Sequence, residues 1–247
     1  MKKLVAILCA LSLLLCSTAL AEYNLVEAGK FVYATSPDFP PFEDRNDNDE
    51  VIGIEPDILA IICDRLGLVP EAFPIDFEPA LEAPAAGKAD AVVSGVTITE
   101  KRKASLDFTI PYVTITQAIV CKAGAGITME NLGEQVIGVQ NGTTGHGLVV
   151  DDFGEDQVVP FDKYSLAFQA LLNGKVDCIV VDDLVGQAYA ARLGGLEVIP
   201  TTYEPEDFGF GFGKGKNPEL LADFNAILQE LIDDGTIEQI ILKWSDQ

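Results

Sequence analysis

The chain predicts an α/β fold built from two similar lobes, each a mostly parallel sheet flanked by helices. Two observations carry that prediction. Short apolar, strand-like runs alternate with stretches of helical periodicity along the 247 residues, the pattern of layered α/β proteins. The chain also echoes itself: Gly87-Lys88-Ala89-Asp90-Ala91-Val92-Val93 shares its logic with Gly174-Lys175-Val176-Asp177-Cys178-Ile179-Val180. In each copy a helix ends at a glycine, where a left-handed cap carries no Cβ penalty, and a buried strand starts beyond an aspartate. Ligands of open α/β sheets sit beyond the carboxyl ends of strands. Two lobes aiming such ends at one cleft account for the echo.

The elements follow in order. Lys2 and Lys3, the apolar Leu4–Leu15 and the small-x-small Ala19-Leu20-Ala21 read as a secretory leader cleaved after Ala21. The apolar stretch is short of the roughly twenty residues a span needs. Phe31–Ala34 predicts a strand, and Asp57–Leu66 a helix stopped by Gly67. A short helix ends over Leu81–Gly87, and Ala89–Val93 is the next strand. The second set is a strand over Gln135–Val139, a helix from about Thr143, a helix over Tyr164–Leu172 and a strand over Cys178–Val181. A strand over Phe208–Phe212 and helices near Pro218–Asp233 and Thr236–Lys243 close the chain.

Composition excludes several classes of function. Sixteen basic residues against 39 acidic ones give a net charge of −23, and losing the leader removes lysines only. That sign argues against nucleic acid or an anionic membrane as partner. Cys9 and Cys16 leave with the leader, so Cys63, Cys121 and Cys178 remain, an odd set without CxxC spacing. Neither a disulfide framework nor a zinc site follows, and all three fit as buried small hydrophobes. His146, the mature chain's only histidine, has no second histidine or nearby cysteine to share a metal with. Gly209, Gly211, Gly213 and Gly215 lack phosphate-loop spacing, and Trp244 reads as a packing anchor. No metal and no cofactor are expected.

The segment from Ala91 to Tyr112 carries the most chemistry. An apolar run leads into Ser94-Gly95-Val96-Thr97, and Arg102 follows. Small residues let a ligand approach backbone N–H groups, and a guanidinium grips both oxygens of a carboxylate in a fixed fork. Asp182 ends a buried strand, where a carboxylate needs a cationic partner to offset its desolvation. Asp183 beside it is the rival, since a strand turns only one of two neighbours into a cleft.

These residues stand in an order that resembles the amino-acid-binding proteins of ABC importers, the bacterial solute-binding proteins of family 3. Phe39-Pro40-Pro41-Phe42-Glu43, Val51-Ile52-Gly53-Ile54-Glu55-Pro56-Asp57, Ile137-Gly138-Val139-Gln140-Asn141-Gly142-Thr143-Thr144 and Val176–Asp182 match the family's motifs in register. Asp234-Gly235-Thr236-Ile237 and Lys243-Trp244 match its terminal helices. The resemblance implies the two-lobed periplasmic binding protein fold (type II), with lobe one over 22–113 and 207–247 and lobe two over 114–206. Two extended connections, near Val113–Gln117 and Glu204–Phe208, would form the hinge. It implies a monomer outside the cytoplasm, periplasmic or extracellular, that closes on a free amino acid and delivers it to a membrane permease.

Carried over position by position, Arg102, Thr97, the Gly95 amide and Thr144 would hold the α-carboxylate. Asp182 would hold the α-ammonium, helped by the Gly95 carbonyl and the Ser94 or Thr97 hydroxyl. Phe39 and Phe77 would clamp the side chain, with Ser36, Gln140 and Thr143 beside it. Many members carry an acid at the position of Ser36, and glutamine binders carry lysine and histidine at those of Gln140 and Val181. Neutral groups there point to an uncharged ligand side chain. Cyclohexadienyl (arogenate) dehydratases share this resemblance, and so do ligand-sensing subunits of receptors, so both stand as alternatives.

Overall fold

The computed structural model describes residues 23–245, and the leader read at 1–21, with Cys9 and Cys16, lies outside the described residues. The chain begins with β1 (Lys30–Thr35), the short strands β2 (Asp44–Arg45) and β3 (Val51–Ile52), and α1 (Ile54–Leu66). There follow β4 (Val69–Pro74), α2 (Phe77–Glu82), β5 (Ala91–Val92), α3 (Glu100–Lys103) and β6 (Leu106–Phe108). After β7 (Val113–Ile115) come β8 (Gln117–Lys122), β9 (Ile137–Gln140), α4 (Thr144–Phe153), β10 (Val158–Phe161) and α5 (Tyr164–Leu172). The chain continues through β11 (Cys178–Asp182), α6 (Asp183–Leu193), β12 (Leu196–Pro200), β13 (Glu206–Phe208) and β14 (Gly211–Gly213). It ends with α7 (Pro218–Asp233) and α8 (Thr236–Ser245).

Two five-stranded sheets form, ordered β4-β1-β5-β14-β6 and β10-β9-β11-β8-β12. Each is parallel across its first three strands and antiparallel across the last two pairings. The two topologies are copies of one plan, with β5 and β11 as equivalent central strands. The sequence echo has a shared physical basis here. Gly87 and Gly174 take left-handed φ values of 72° and 67°. Asp90 accepts the Val32 amide (2.8 Å) and Asp177 the Val136 amide (2.8 Å), so each aspartate ties its strand to the start of a neighbouring one.

The chain passes between the sheets twice, and the two passages pair antiparallel as β7 and β13, with Val113 opposite Phe208 and Ile115 opposite Glu206. The strand expected over Phe208–Phe212 is therefore two strands. β13 pairs with β7, while β14 joins the first sheet, and Gly209 and Phe210 carry the change of partner by bonding to Val96 and Thr109. The helix expected from Asp57 starts earlier, at Ile54, and the short helix α2 opens at Phe77.

Helices α7 and α8 lay Leu220, Phe224, Leu228, Leu231, Ile237 and Ile240 against the first sheet and α1. Phe224 packs its ring 4.7 Å from Phe31 and 5.2 Å from Phe212, measured between centroids. Truncating such a ring costs about 3–5 kcal/mol. Trp244 anchors α8 to α1, its indole N–H donating to Asp57 (2.8 Å). Cys63, Cys121 and Cys178 are free and buried, as expected of thiols used as small hydrophobes. No helix among the described residues is long and apolar enough to cross a membrane.

Candidate ligand-binding site

All eleven residues nominated from the sequence line one cavity between the two sheets. The fold explains the convergence. Ser36 follows the carboxyl end of β1, and Ser94 that of β5, while Gln140 and Asp182 end β9 and β11. Thr143 and Thr144 open α4, and Phe77 opens α2.

Arg102 is set by its short helix. The Thr99 hydroxyl caps α3 by accepting the Arg102 amide (3.1 Å), and Glu100 pairs with Lys103 (2.7 Å). The Arg102 side chain is thereby free to turn into the cleft. Its guanidinium donates to the carbonyls of Thr97 (2.8 Å) and, across the cleft, Gly142 (3.1 Å), and it lies 5.5 Å over the Phe77 ring. Desolvation lowers its pKa to about 10 against the pull of Glu206 and Asp182. It stays cationic at neutral pH.

Asp182 faces it from the other sheet. The rivalry with Asp183 resolves at the end of the strand: Asp182 closes β11 and lines the cavity, while Asp183 opens α6 and bonds to the Thr116 hydroxyl (3.1 Å) and the Leu184 amide (2.8 Å). Burial first, and then the nearby Glu206 carboxylate, push the Asp182 carboxyl well above its usual range. It accepts one hydrogen bond from the Gln117 amide (2.8 Å).

Thr97 and Thr144 meet hydroxyl to hydroxyl at 3.4 Å, and Thr144 donates to Glu206 (2.9 Å). Thr143 caps α4 through the His146 amide (3.1 Å) and donates to the Gln140 carbonyl (2.8 Å). The first amides of α4 have no intrahelical acceptor and carry the positive end of the helix dipole. Phe39 stacks on Tyr164 at 5.6 Å and Phe42 at 5.7 Å, and the buried Gln140 donates to the Asp162 carbonyl (3.0 Å).

One expected role is corrected by the hydrogen bonding. The Gly95 amide does not face a ligand carboxylate, because it donates to both oxygens of the buried Glu55 (3.1 and 3.2 Å). The Ser94 hydroxyl donates to Glu43 (2.7 Å) and accepts the Ser36 amide (3.0 Å), which leaves one lone pair to accept a further donor. Gly95 itself is irreplaceable for another reason. It sits at φ 54°, and a Cβ there would lie 2.4 Å from Phe39 Cε1. Sequence reading missed Glu43, Glu55, Gln117, Tyr164 and Glu206 as neighbours of the site. Glu43 and Glu55 lie in quoted motifs, and their burial beside apolar residues was the available signal.

Further contacts close the lobes over the cavity. Asp38 accepts the Ser165 amide (3.1 Å) and hydroxyl (3.2 Å), and its carbonyl accepts the Tyr189 hydroxyl (2.8 Å). Arg192 pairs with Asp44 (2.8 Å).

Comparison with known proteins agrees with this architecture. The family model for bacterial extracellular solute-binding proteins, family 3, matches residues 31–247. The chain is 30% identical over 224 residues to ABC transporter arginine-binding protein 1 of Escherichia coli (strain K12), covering 89% of this chain and 92% of that protein. A solved ancestral arginine-binding protein bound to glutamine superposes with a TM-score of 0.83 at 36% identity, over 88% of this chain and 98% of that one. An ancestral arginine-binding protein bound to arginine gives 0.81 at 37% identity, over 87% and 98%.

Proposed function

Because the chain belongs to the bacterial extracellular solute-binding proteins of family 3, we propose that it captures a free α-amino acid between its lobes and hands it to the permease of an ABC importer. Its relatives are binding proteins rather than enzymes, which disfavours the dehydratase alternative. The observation that carries the reading is the opposition of Arg102 and Asp182 across one cavity. The guanidinium takes the α-carboxylate together with Thr97, Thr144 and the first amides of α4. Asp182 takes the α-ammonium, and Phe39 and Phe77 flank the side chain.

In this reading residues 22–113 and 207–247 move as one lobe and 114–206 as the other, about the paired β7 and β13. Contacts from both lobes are completed only on closure, so the permease can tell loaded from empty. The protein works as a monomer outside the cytoplasm after losing its leader.

The preferred side chain is neutral. Among the cavity-lining residues Arg102 is the only cation and Asp182 the only carboxylate, and a zwitterionic backbone uses both. Ser36 and Gln140 offer hydrogen bonds without charge. Relatives named for arginine make a cationic ligand the competing reading, and the relative solved with glutamine fits the neutral one. Calorimetric titration with L-glutamine, L-arginine and the other standard amino acids tests both. Stronger binding of arginine or lysine than of every neutral amino acid overturns the neutral preference, and no binding at all overturns the function.

A further inference from the structure

Beneath the cavity lie two carboxyl groups that the capture of a ligand does not use. Glu43 and Glu55 are 1% and 0% exposed and lie against each other. The groups acting on them are the phenols of Tyr33 and Tyr112, the Ser94 hydroxyl and the Gly95 amide, with Asp38 and, beyond Tyr112, Asp182 as further acids. No lysine, arginine or histidine is among them. Two ionised carboxylates cannot share such a place, because like charges and desolvation both oppose the second charge.

The hydrogen bonds say which one keeps the proton. Glu55 accepts the Tyr112 hydroxyl (2.6 Å) at one oxygen and the Gly95 amide at both. It also sits in the first turn of α1, where the helix dipole favours an anion. Glu43 Oε1 accepts only the Ser94 hydroxyl (2.7 Å), and Oε2 receives no donor, as befits the oxygen that carries the proton and donates to Glu55. We infer that Glu43 and Glu55 share one proton, held on Glu43, and that this acid pair positions the binding loops.

Four cavity residues hang from it. Ser94 is held by Glu43, and Gly95 by Glu55. Ser36 is held through Ser94. Phe39 is tied to Glu43 by backbone bonds in both directions (2.8 and 3.2 Å). Removing the proton leaves two facing carboxylates that repel, and the loops carrying these four residues separate. Ligand affinity therefore has an alkaline limb set by a residue that never touches the ligand. The buried Glu43 carboxyl, raised well above its ordinary value by desolvation and by Glu55, places that limb on the basic side.

This inference rests on the amino-acid-binding reading for its affinity readout, so the experiment carries a ligand-free arm. Infrared spectroscopy of the unliganded protein at neutral pH should show the carbonyl stretch of a neutral carboxyl that E43Q removes. If the protein has no such band, or E43Q leaves its intensity unchanged, the shared proton is disproved whatever the protein binds. In the second arm, L-glutamine and L-arginine are titrated between about pH 6 and about pH 9. A glutamine at 43 reproduces the protonated acid, with an amide donor toward Glu55 and an oxygen toward Ser94. E43A should weaken binding about tenfold or more by stranding its partners, and E43Q should recover most of that loss while abolishing the alkaline limb. E55Q should fail to recover, because its amide faces donors already present. Equal behaviour of E43Q and E55Q, or an alkaline limb that survives E43Q, overturns the positioning role.

Discussion

The Gln117 side-chain nitrogen bridges two acids, lying 2.8 Å from Asp182 and 2.9 Å from Glu206. Gln117 begins β8 and Glu206 begins β13, so this one amide joins both passages between the sheets to the acid that faces the cleft. Replacing Gln117 by leucine leaves Asp182 and Glu206 facing each other without their common donor. Stranding a buried acceptor costs about 1–3 kcal/mol, or roughly five- to 150-fold in affinity. Calorimetry on Q117L should show that loss for every amino acid, larger at acid pH, where Asp182 is harder still to ionise. Unchanged affinity would mean that the bridge plays no part in binding.

Arg102 and Asp182 should behave alike under mutation, and Phe39 differently. Truncating one member of a buried charge pair costs about 2–5 kcal/mol, so Arg102→Ala should weaken all amino acids by roughly thirty- to several-thousand-fold. Asp182→Asn should come close to that. Phe39→Ala should instead reorder the ligands, because it touches only their variable part. Normal folding with parental affinity in Arg102→Ala would overturn the carboxylate assignment.

How far the sequence carried these residues depends on what each has nearby in the chain. Arg102 and Asp182 were legible because a strand end, small residues and a charge stand within a few positions of one another. Glu43 and Glu55 were not legible as a pair, since their meeting depends on the turn after Phe39 folding onto the first turn of α1. Glu206 and Gln117 lie on chain passages whose convergence is a property of the two-sheet topology. Phe208–Phe212 read as one strand because its Phe–Gly alternation continues through the point where the partner changes. β4 was not expected because Pro70 and Pro74 break a strand pattern, and the sheet accommodates them by keeping β4 at its edge.

Stability should fall as pH rises from mildly acid to mildly alkaline. Burial raises the carboxyl pKa values of Asp38, Glu43, Asp90 and Asp182 in the folded state. Such groups stabilise fully below their unfolded pKa, near 4, and that contribution is lost as pH climbs toward the folded value, because the unfolded chain then binds fewer protons. Glu100, Asp107 and Asp234 are lowered and act oppositely, losing their contribution only on the acid side. The melting temperature of the unliganded protein should therefore be higher near pH 5 than near pH 8, and the reverse order would refute the raised carboxyl values.

Closure should be measurable and should depend on Asp38. The Asp38 carboxylate receives two donors from Ser165 across the cleft, and Tyr189 reaches its carbonyl. Small-angle scattering should give a smaller radius with saturating ligand than without it. Asp38→Ala should speed ligand release while leaving the ranking of ligands intact, since it removes a clasp and touches no variable part of the ligand. An unchanged scattering profile with proven binding would sink the closure of the lobes.

Gly95 offers the most local test of the site's construction. Its φ of 54° is costly for any side chain, and an added Cβ would meet Phe39 at 2.4 Å and Phe208 at 3.1 Å. Left-handed backbone alone costs alanine about 1–2 kcal/mol, and the clash with Phe39 adds to it. The two parts separate in a double-mutant cycle read by chemical denaturation. Gly95→Ala should destabilise strongly, and Phe39→Ala should cost the packing of one buried ring. The double variant should lose less than the sum, because removing the ring leaves the new methyl group room on that side. What remains is the backbone strain and the contact with Phe208, which no change at Phe39 relieves. Additive losses would show that Phe39 yields without cost, and glycine would then be required at position 95 by its backbone alone.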